Sequence, residues 1–262
     1  MKTYPLYQVD AFTDRIFGGN PAAVCPLEAW LPTETMQQLA MENNLSETAF
    51  YVQQGDIFHI RWFTPELEID LAGHPTLATA YIIFNHSSYS KDTIHFESKS
   101  GPLIVTKKAT GLMEMNFPSR MPNVVHHPPM ALLEGINHKP QHILKARDYV
   151  LVYDTEEEVR NFVADFEWLN KVDTLGIIVT AKGNECDFVS RFFVPNSVIG
   201  EDPVTGSAHA ELIPYWSKVL NKSTMTARQL SKRGGLLFCE DQGNRVTISG
   251  NAVLYMKGEY FL

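Results

Sequence analysis

Cysteine is scarce: Cys25, Cys186 and Cys239 are the three in 262 residues. They lie far apart, are odd in number and form no Cys-x-x-Cys. Neither a disulfide framework nor a zinc site is indicated, and each is expected to serve as a small buried apolar residue. A long hydrophobic run is missing too. No stretch reaches the ~18 apolar residues of a membrane-spanning helix, and residues 1–10 carry no signal-peptide h-region. These absences point to a reducing cytoplasm. Gly-x-Gly-x-x-Gly and Gly-x-x-x-x-Gly-Lys-[Ser/Thr] are both absent, so dinucleotide and P-loop binding lack support. Without Gly-x-Ser-x-Gly there is no nucleophile elbow. Basic residues are in the minority: 22 Lys and Arg against 30 Asp and Glu give a net charge of −8. That disfavours nucleic acid and anionic membranes as partners. An anionic substrate stays open, because local dipoles in a cleft outweigh distant surface charge.

What is present is ordinary globular material, 44% hydrophobic and 20% charged, organised around one repeated pattern. Asp70-Leu71-Ala72-Gly73-His74-Pro75-Thr76 is echoed by Asp202-Pro203-Val204-Thr205-Gly206-Ser207-Ala208. Each is an acidic residue, a short turn with one Gly, a small polar step and then an apolar run. Both read as a turn feeding a helix N-terminus. Pro75 suits a first helical turn, where its missing N–H is not needed. The free N–H groups of such a helix end favour an anion, and Gly lets backbone come close to it. Gly206 follows Gly73 by 133 residues, about half the chain. Two similar halves are expected, each presenting a helix N-terminus to one shared site.

In chain order, residues 4–12 and 22–27 read as strands, and a helix follows through Asn43 with Met36, Leu39 and Ala40 on one face. Residues 48–52 read as a strand with Glu47 at its start, next to apolar neighbours. Such a carboxylate is partly desolvated and suited to act as a base; the bland alternative is a surface Glu. Residues 58–64 form a further strand. The helix from Pro75 to about Asn85 is apolar nearly all round, so a curved sheet should wrap it. Residues 93–97, 103–107 and 111–117 read as antiparallel strands. Pro118, Pro122, Pro128 and Pro129 mark a boundary. His126-His127 beside them reads as a surface pair rather than a metal site. In the second half, residues 149–153, 175–180 and 188–194 read as strands. Asp154-Thr155-Glu156-Glu157 starts a helix, and Glu156-Glu157-Glu158 reads as its solvated face. Residues 225–230, 235–239, 245–249 and 252–257 close the chain as hairpin strands.

The chemistry these residues allow is acid–base: carboxylates at Glu47 and Asp202, and His74 at a helix start. Two facing helix N-termini would hold a carboxylate and stabilise an enolate-like charge. The bland alternatives are a cap or a buried hydrogen-bonding His for His74, a helix cap for Asp202 and a capping hydroxyl for Ser207.

Six ordered motifs sharpen this reading: Val9-Asp10-Ala11-Phe12-Thr13, Gly19-Asn20-Pro21-Ala22-Ala23-Val24, Asn44-Leu45-Ser46-Glu47-Thr48-Ala49-Phe50, Leu71-Ala72-Gly73-His74-Pro75-Thr76, Glu201-Asp202-Pro203-Val204-Thr205-Gly206-Ser207-Ala208-His209 and Gln229-Leu230-Ser231-Lys232-Arg233-Gly234-Gly235. Together they resemble the PhzF family over essentially the whole chain. The resemblance implies an α+β fold similar to diaminopimelate epimerase. Two pseudo-symmetric halves would each wrap a mostly antiparallel, barrel-like sheet around a central helix, with the active site in the cleft between them. The halves are expected at 1–118 and 119–252, and such folds often return a C-terminal strand, here about 253–262, to the first half. Racemases of this superfold place a Cys before each helix-opening Gly, where this chain has Ala72 and Thr205, so two-thiol racemisation is not available. The resemblance instead implies Glu47 as proton shuttle. His74, Asp202, Gly73, Gly206 and Ser207 would orient substrate, with proton transfer by His74 and Asp202 left open. The expected activity is a cofactor-independent isomerase moving a proton on a small carboxylate-bearing molecule, with no metal. The rival reading is a carboxylate-binding sensor or inactive paralogue. The resemblance admits a homodimer.

Overall fold

A computed structural model describes residues 1–262. The elements run β1 (Thr3–Ala11), β2 (Asn20–Leu27), α1 (Thr33–Asn43), β3 (Glu47–Gln54), β4 (Ile57–Phe63), β5 (Glu68–Ile69), α2 (Gly73–His86), β6 (Thr93–Ser98), β7 (Gly101–Lys107), β8 (Met113–Pro118), β9 (Asn123–Val124), α3 (Met130–Glu134), β10 (His142–Lys145), β11 (Tyr149–Val152), α4 (Glu156–Arg160), α5 (Phe166–Leu169), β12 (Ile177–Lys182), β13 (Phe188–Val194), β14 (Gly200–Asp202), α6 (Gly206–Leu220), β15 (Thr224–Gln229), β16 (Gly235–Asp241), β17 (Arg245–Gly250) and β18 (Ala252–Phe261). Two compact units result, Met1–Asn116 with Ser249–Leu262, and Phe117–Ile248.

In the first unit β1 lies antiparallel to both β2 and β18. β2 and β3 are parallel, which requires a crossover, and α1 supplies it. β4 is antiparallel to β3 and β5 but parallel to β6, with α2 as that crossover. Hairpins then join β6 to β7 and β7 to β8. The second unit repeats these steps. β10 is antiparallel to β9 and β11, and β11 is parallel to β12 across α4 and α5. β13 is antiparallel to β12 and β14 but parallel to β15 across α6, and β16 folds back on β15. The same order of pairings in both units is the pseudo-symmetry that the repeated Gly motif announced.

Helix α2 is buried at ten of its 14 residues and packs against β1, β2, β3 and β18. The other side of that sheet carries α1, through Met36 and Ala40 against Cys25, Phe50 and Phe63. Buried Thr76 and Thr79 return their hydroxyls to the carbonyls of Ala72 and Pro75, so neither is left unbonded in an apolar setting. In α6, Pro214 removes the N–H that would bond the Ala210 carbonyl; the Arg120 N–H takes that carbonyl instead, at 2.9 Å.

Glu156 departs from expectation. It is buried rather than solvated, and its carboxylate accepts from the Arg160 guanidinium at 2.5 Å and the Asn184 N–H at 2.8 Å. The helix start itself is as read, a capping box between Thr155 and Glu158. Cys25 and Cys239 are buried and Cys186 half-buried, all as free thiols.

Candidate functional site

In the first unit, parallel pairing sets Glu47, the first residue of β3, opposite Ala22. His74 is the second residue of α2, only 4% exposed. The two meet: His74 Nε2 lies 3.1 Å from Glu47 Oε2, a contact without the alignment of a hydrogen bond. The Glu47 side chain keeps 15% exposure, so it is not sealed in. On the other edge of the ring, Asn20 Nδ2 lies 3.0 Å from His74 Nδ1. The amide N–H donates to Nδ1 in the tautomer that carries the ring proton on Nε2, the nitrogen nearer the carboxylate. Burial holds His74 down at about 3, against a smaller opposing pull from the Pro21 carbonyl. The ring is therefore neutral across the physiological range.

Both helix openings lack a side-chain cap, and neither first turn holds an acidic residue. The cap positions are Ala72 before Gly73 and Thr205 before Gly206. Neither helix supplies a side chain of its own to its N-terminal N–H groups, which with the positive end of the dipole favour an anion; the carboxylates beside the openings come from other elements, Glu47 at α2 and Asp202 at α6.

In the second unit, Asp202 ends β14 opposite Phe192. Its Oδ2 accepts the Thr205 hydroxyl, so it braces the turn rather than acting as the helix N-cap. Gln229 on β15 fixes the same turn: its Oε1 accepts the Thr205 N–H at 2.8 Å, and its Nε2 donates to the Asp202 carbonyl at 2.8 Å. Gly206 is the first, buried residue of α6. The half-buried Ser207 next to it is no cap either; its Oγ accepts from Arg147 Nη2 at 3.0 Å. Fully buried His209 donates Nδ1–H to the Thr205 carbonyl at 2.8 Å, and burial holds it down at about 4.

Glu47, His74 and Gly73 are brought together in one unit, and Asp202, Gly206 and Ser207 in the other. Sequence reasoning assigned no role to Asn20, Gln229, Arg147 or Glu211. Asn20 and Gln229 stand inside motifs, but their partners are 54 and 24 residues away, a separation no local pattern reveals. No group of three or more His, Cys, Asp or Glu side chains is placed to hold a metal ion, and no helix is long and apolar enough to cross a membrane.

A family model described as phenazine biosynthesis-like protein matches residues 9–258. A Pseudomonas aeruginosa protein named as an isomerase is 45% identical over 257 residues, covering 98% of each chain. The crystal structure of a PhzF-family phenazine biosynthesis protein from Enterococcus faecalis has 50% identity and a TM-score of 0.95, with 100% of each chain covered. A hydroxyproline epimerase from Agrobacterium vitis, 10% identical with a TM-score of 0.61 over 99% of this chain and 91% of its own, shares the fold alone. Fold and relatives make this protein an isomerase on an epimerase-like scaffold. More narrowly, the chain belongs to the phenazine biosynthesis-like PhzC-PhzF family.

Proposed function

We propose that this isomerase moves a proton between two positions of a small carboxylate-bearing substrate, without a cofactor, using Glu47 as the general acid/base. The observation that carries the reading is the contact of Glu47 with a buried, neutral His74 at the uncapped opening of α2. Ionised Glu47 takes a proton from an acidic C–H; the electron pair left behind delocalises into the substrate, and the same carboxyl returns the proton at a second carbon. His74 presents Nε2–H to the carboxylate and orients it. Its neutrality matters, because an imidazolium at 3.1 Å would make the carboxylate a weaker base. The backbone N–H groups from Gly73 onward and from Gly206 onward, with the Ser207 hydroxyl, are the donors for the substrate's negative charge. Asp202 holds the second turn in shape. Ala72 and Thr205 leave no thiol at either opening, which sets this reading apart from two-thiol racemisation.

The test is deuterium wash-in. The protein is incubated in D₂O with a set of small carboxylates, and label is followed by mass spectrometry with Glu47→Gln in parallel. Label entering one compound with the wild type alone is the expected result. Label entering equally with the variant overturns the role of Glu47. Binding of a carboxylate with no label anywhere favours a sensor.

A further inference from the structure

Behind Ser207 lies a buried polar group that the proposed reaction does not use. Arg147 stands just before β11, and its Nε and Nη2 both reach Asp148 Oδ2, at 3.0 and 2.5 Å. Asp148 is fully buried, as is Glu211 on α6. Glu211 Oε1 accepts the Asp148 backbone N–H at 3.3 Å, and the two carboxyl groups are within hydrogen-bonding reach. Asp148 Oδ1 and Glu211 Oε2 are both buried without a partner. Two buried carboxyls facing one guanidinium leave one negative charge in excess unless a proton is shared. A proton on Glu211 would satisfy both orphan oxygens at once. Burial, and after it the Asp148 charge, push Glu211 up to about 8, in the same sense.

The geometry also settles the direction of the Ser207 hydrogen bond. Arg is donor-only, so Ser207 Oγ must accept from Arg147, and its own O–H is left to donate elsewhere. Glu211 lies one helical turn beyond Ser207, on the same face. The first unit uses a parallel device. There Asn20, at the start of β2, grips His74, the residue after Gly73; here Arg147, just before β11, grips Ser207, the residue after Gly206. Since β2 and β11 hold the same place in the repeated strand order, the fold supplies one orienting side chain per helix opening.

We propose that Arg147, Asp148 and protonated Glu211 form a positioning unit that fixes the Ser207 hydroxyl as a hydrogen-bond donor to a carboxylate of the substrate. This rests on the reading that the α6 opening binds substrate. Arg147 and Glu211 act through Ser207 and are positioning residues, not catalytic ones.

The experiment uses the full chain and sodium benzoate as the probe, titrated while the amide resonances of Gly206, Ser207 and Ala208 are followed by NMR. Arg147→Met and Ser207→Ala are each expected to weaken binding by at least fivefold. The double variant should be no weaker than either alone, because both remove the same donor. Glu211→Ala should weaken binding, and Glu211→Gln, which keeps a neutral donor toward Asp148, should restore it to within about twofold of the wild type. A merely structural role would give additive losses and no such rescue. Additive losses, unchanged binding in Arg147→Met, or no benzoate shift at these amides in the wild type would each overturn the proposal. The role of Glu47 is judged separately by deuterium exchange, so the two readings fail independently.

Discussion

His74 Nε2 stands 3.1 Å from Glu47 Oε2, and the other ring nitrogen is held by Asn20 at 3.0 Å. One imidazole is thus held by an amide on one side and lies against a carboxylate on the other. Asn20→Ala should leave the buried Nδ1 unsatisfied and cost about 1–3 kcal/mol of stability in denaturant unfolding. It should also lower turnover, by up to roughly 100-fold if the ring shifts by an ångström. Wild-type stability in the variant would contradict the assignment of this contact.

Gly19, immediately before Asn20, has φ +60, and a Cβ there would come within 2.1 Å of the Ala11 carbonyl oxygen. Gly55 has φ +61 with nothing within 4 Å of its Cβ position. Gly55→Ala should therefore show only the left-handed backbone penalty, about 1–2 kcal/mol. Gly19→Ala should be clearly more destabilising and should disturb Asn20 as well. Equal losses in thermal melts would rule out the close approach at Gly19.

Buried ionisable groups set opposing slopes of stability with pH. Burial holds neutral His74 and His209 down at about 3 and about 4, whereas the unfolded chain takes up their protons below the ordinary 6.5. Stability should fall as pH drops from about 6.5 toward 4. Glu211 acts in the other direction. The native form holds its proton up to about 8, and the unfolded chain releases it above the ordinary 4.5, so stability falls as pH rises through that range. Glu211→Gln should flatten the alkaline decline of Tm and leave the acidic one in place. An unchanged alkaline limb would argue against a protonated Glu211.

Much of this fold was legible. The strand ending at Ala11, helices α1 and α2 and the hairpins from β6 to β8 follow from residue type and period, because each buries a face that its own sequence marks. The helix openings were legible for the same reason: Gly73 and Gly206 interrupt one pattern and start another. Glu211 was not. It sits in a run of apolar residues within α6, and only the tertiary partner Asp148 explains a fully buried carboxyl there. Glu156 was misread because three glutamates in a row resemble a solvated face, while the Asn184 N–H and Arg160 that take its charge become visible only in three dimensions. Strand β10 was missed because four residues, His142-Ile143-Leu144-Lys145, are too few to show a period. Asn20 and Arg147 were invisible as orienting groups because they act on residues 54 and 60 positions away.

The most direct test of the central claim is position-resolved deuterium incorporation by wild type, Glu47→Gln and Glu47→Asp, each with its Tm measured alongside. Glu47→Gln should keep a Tm near that of the wild type and lose exchange by at least ~100-fold, the lower range for a positioned acid/base. Glu47→Asp should keep a small residual rate, since it retains a carboxylate at a longer reach. Exchange by a folded Glu47→Gln within a few-fold of the wild type would contradict the assignment of Glu47 as the group that carries the proton.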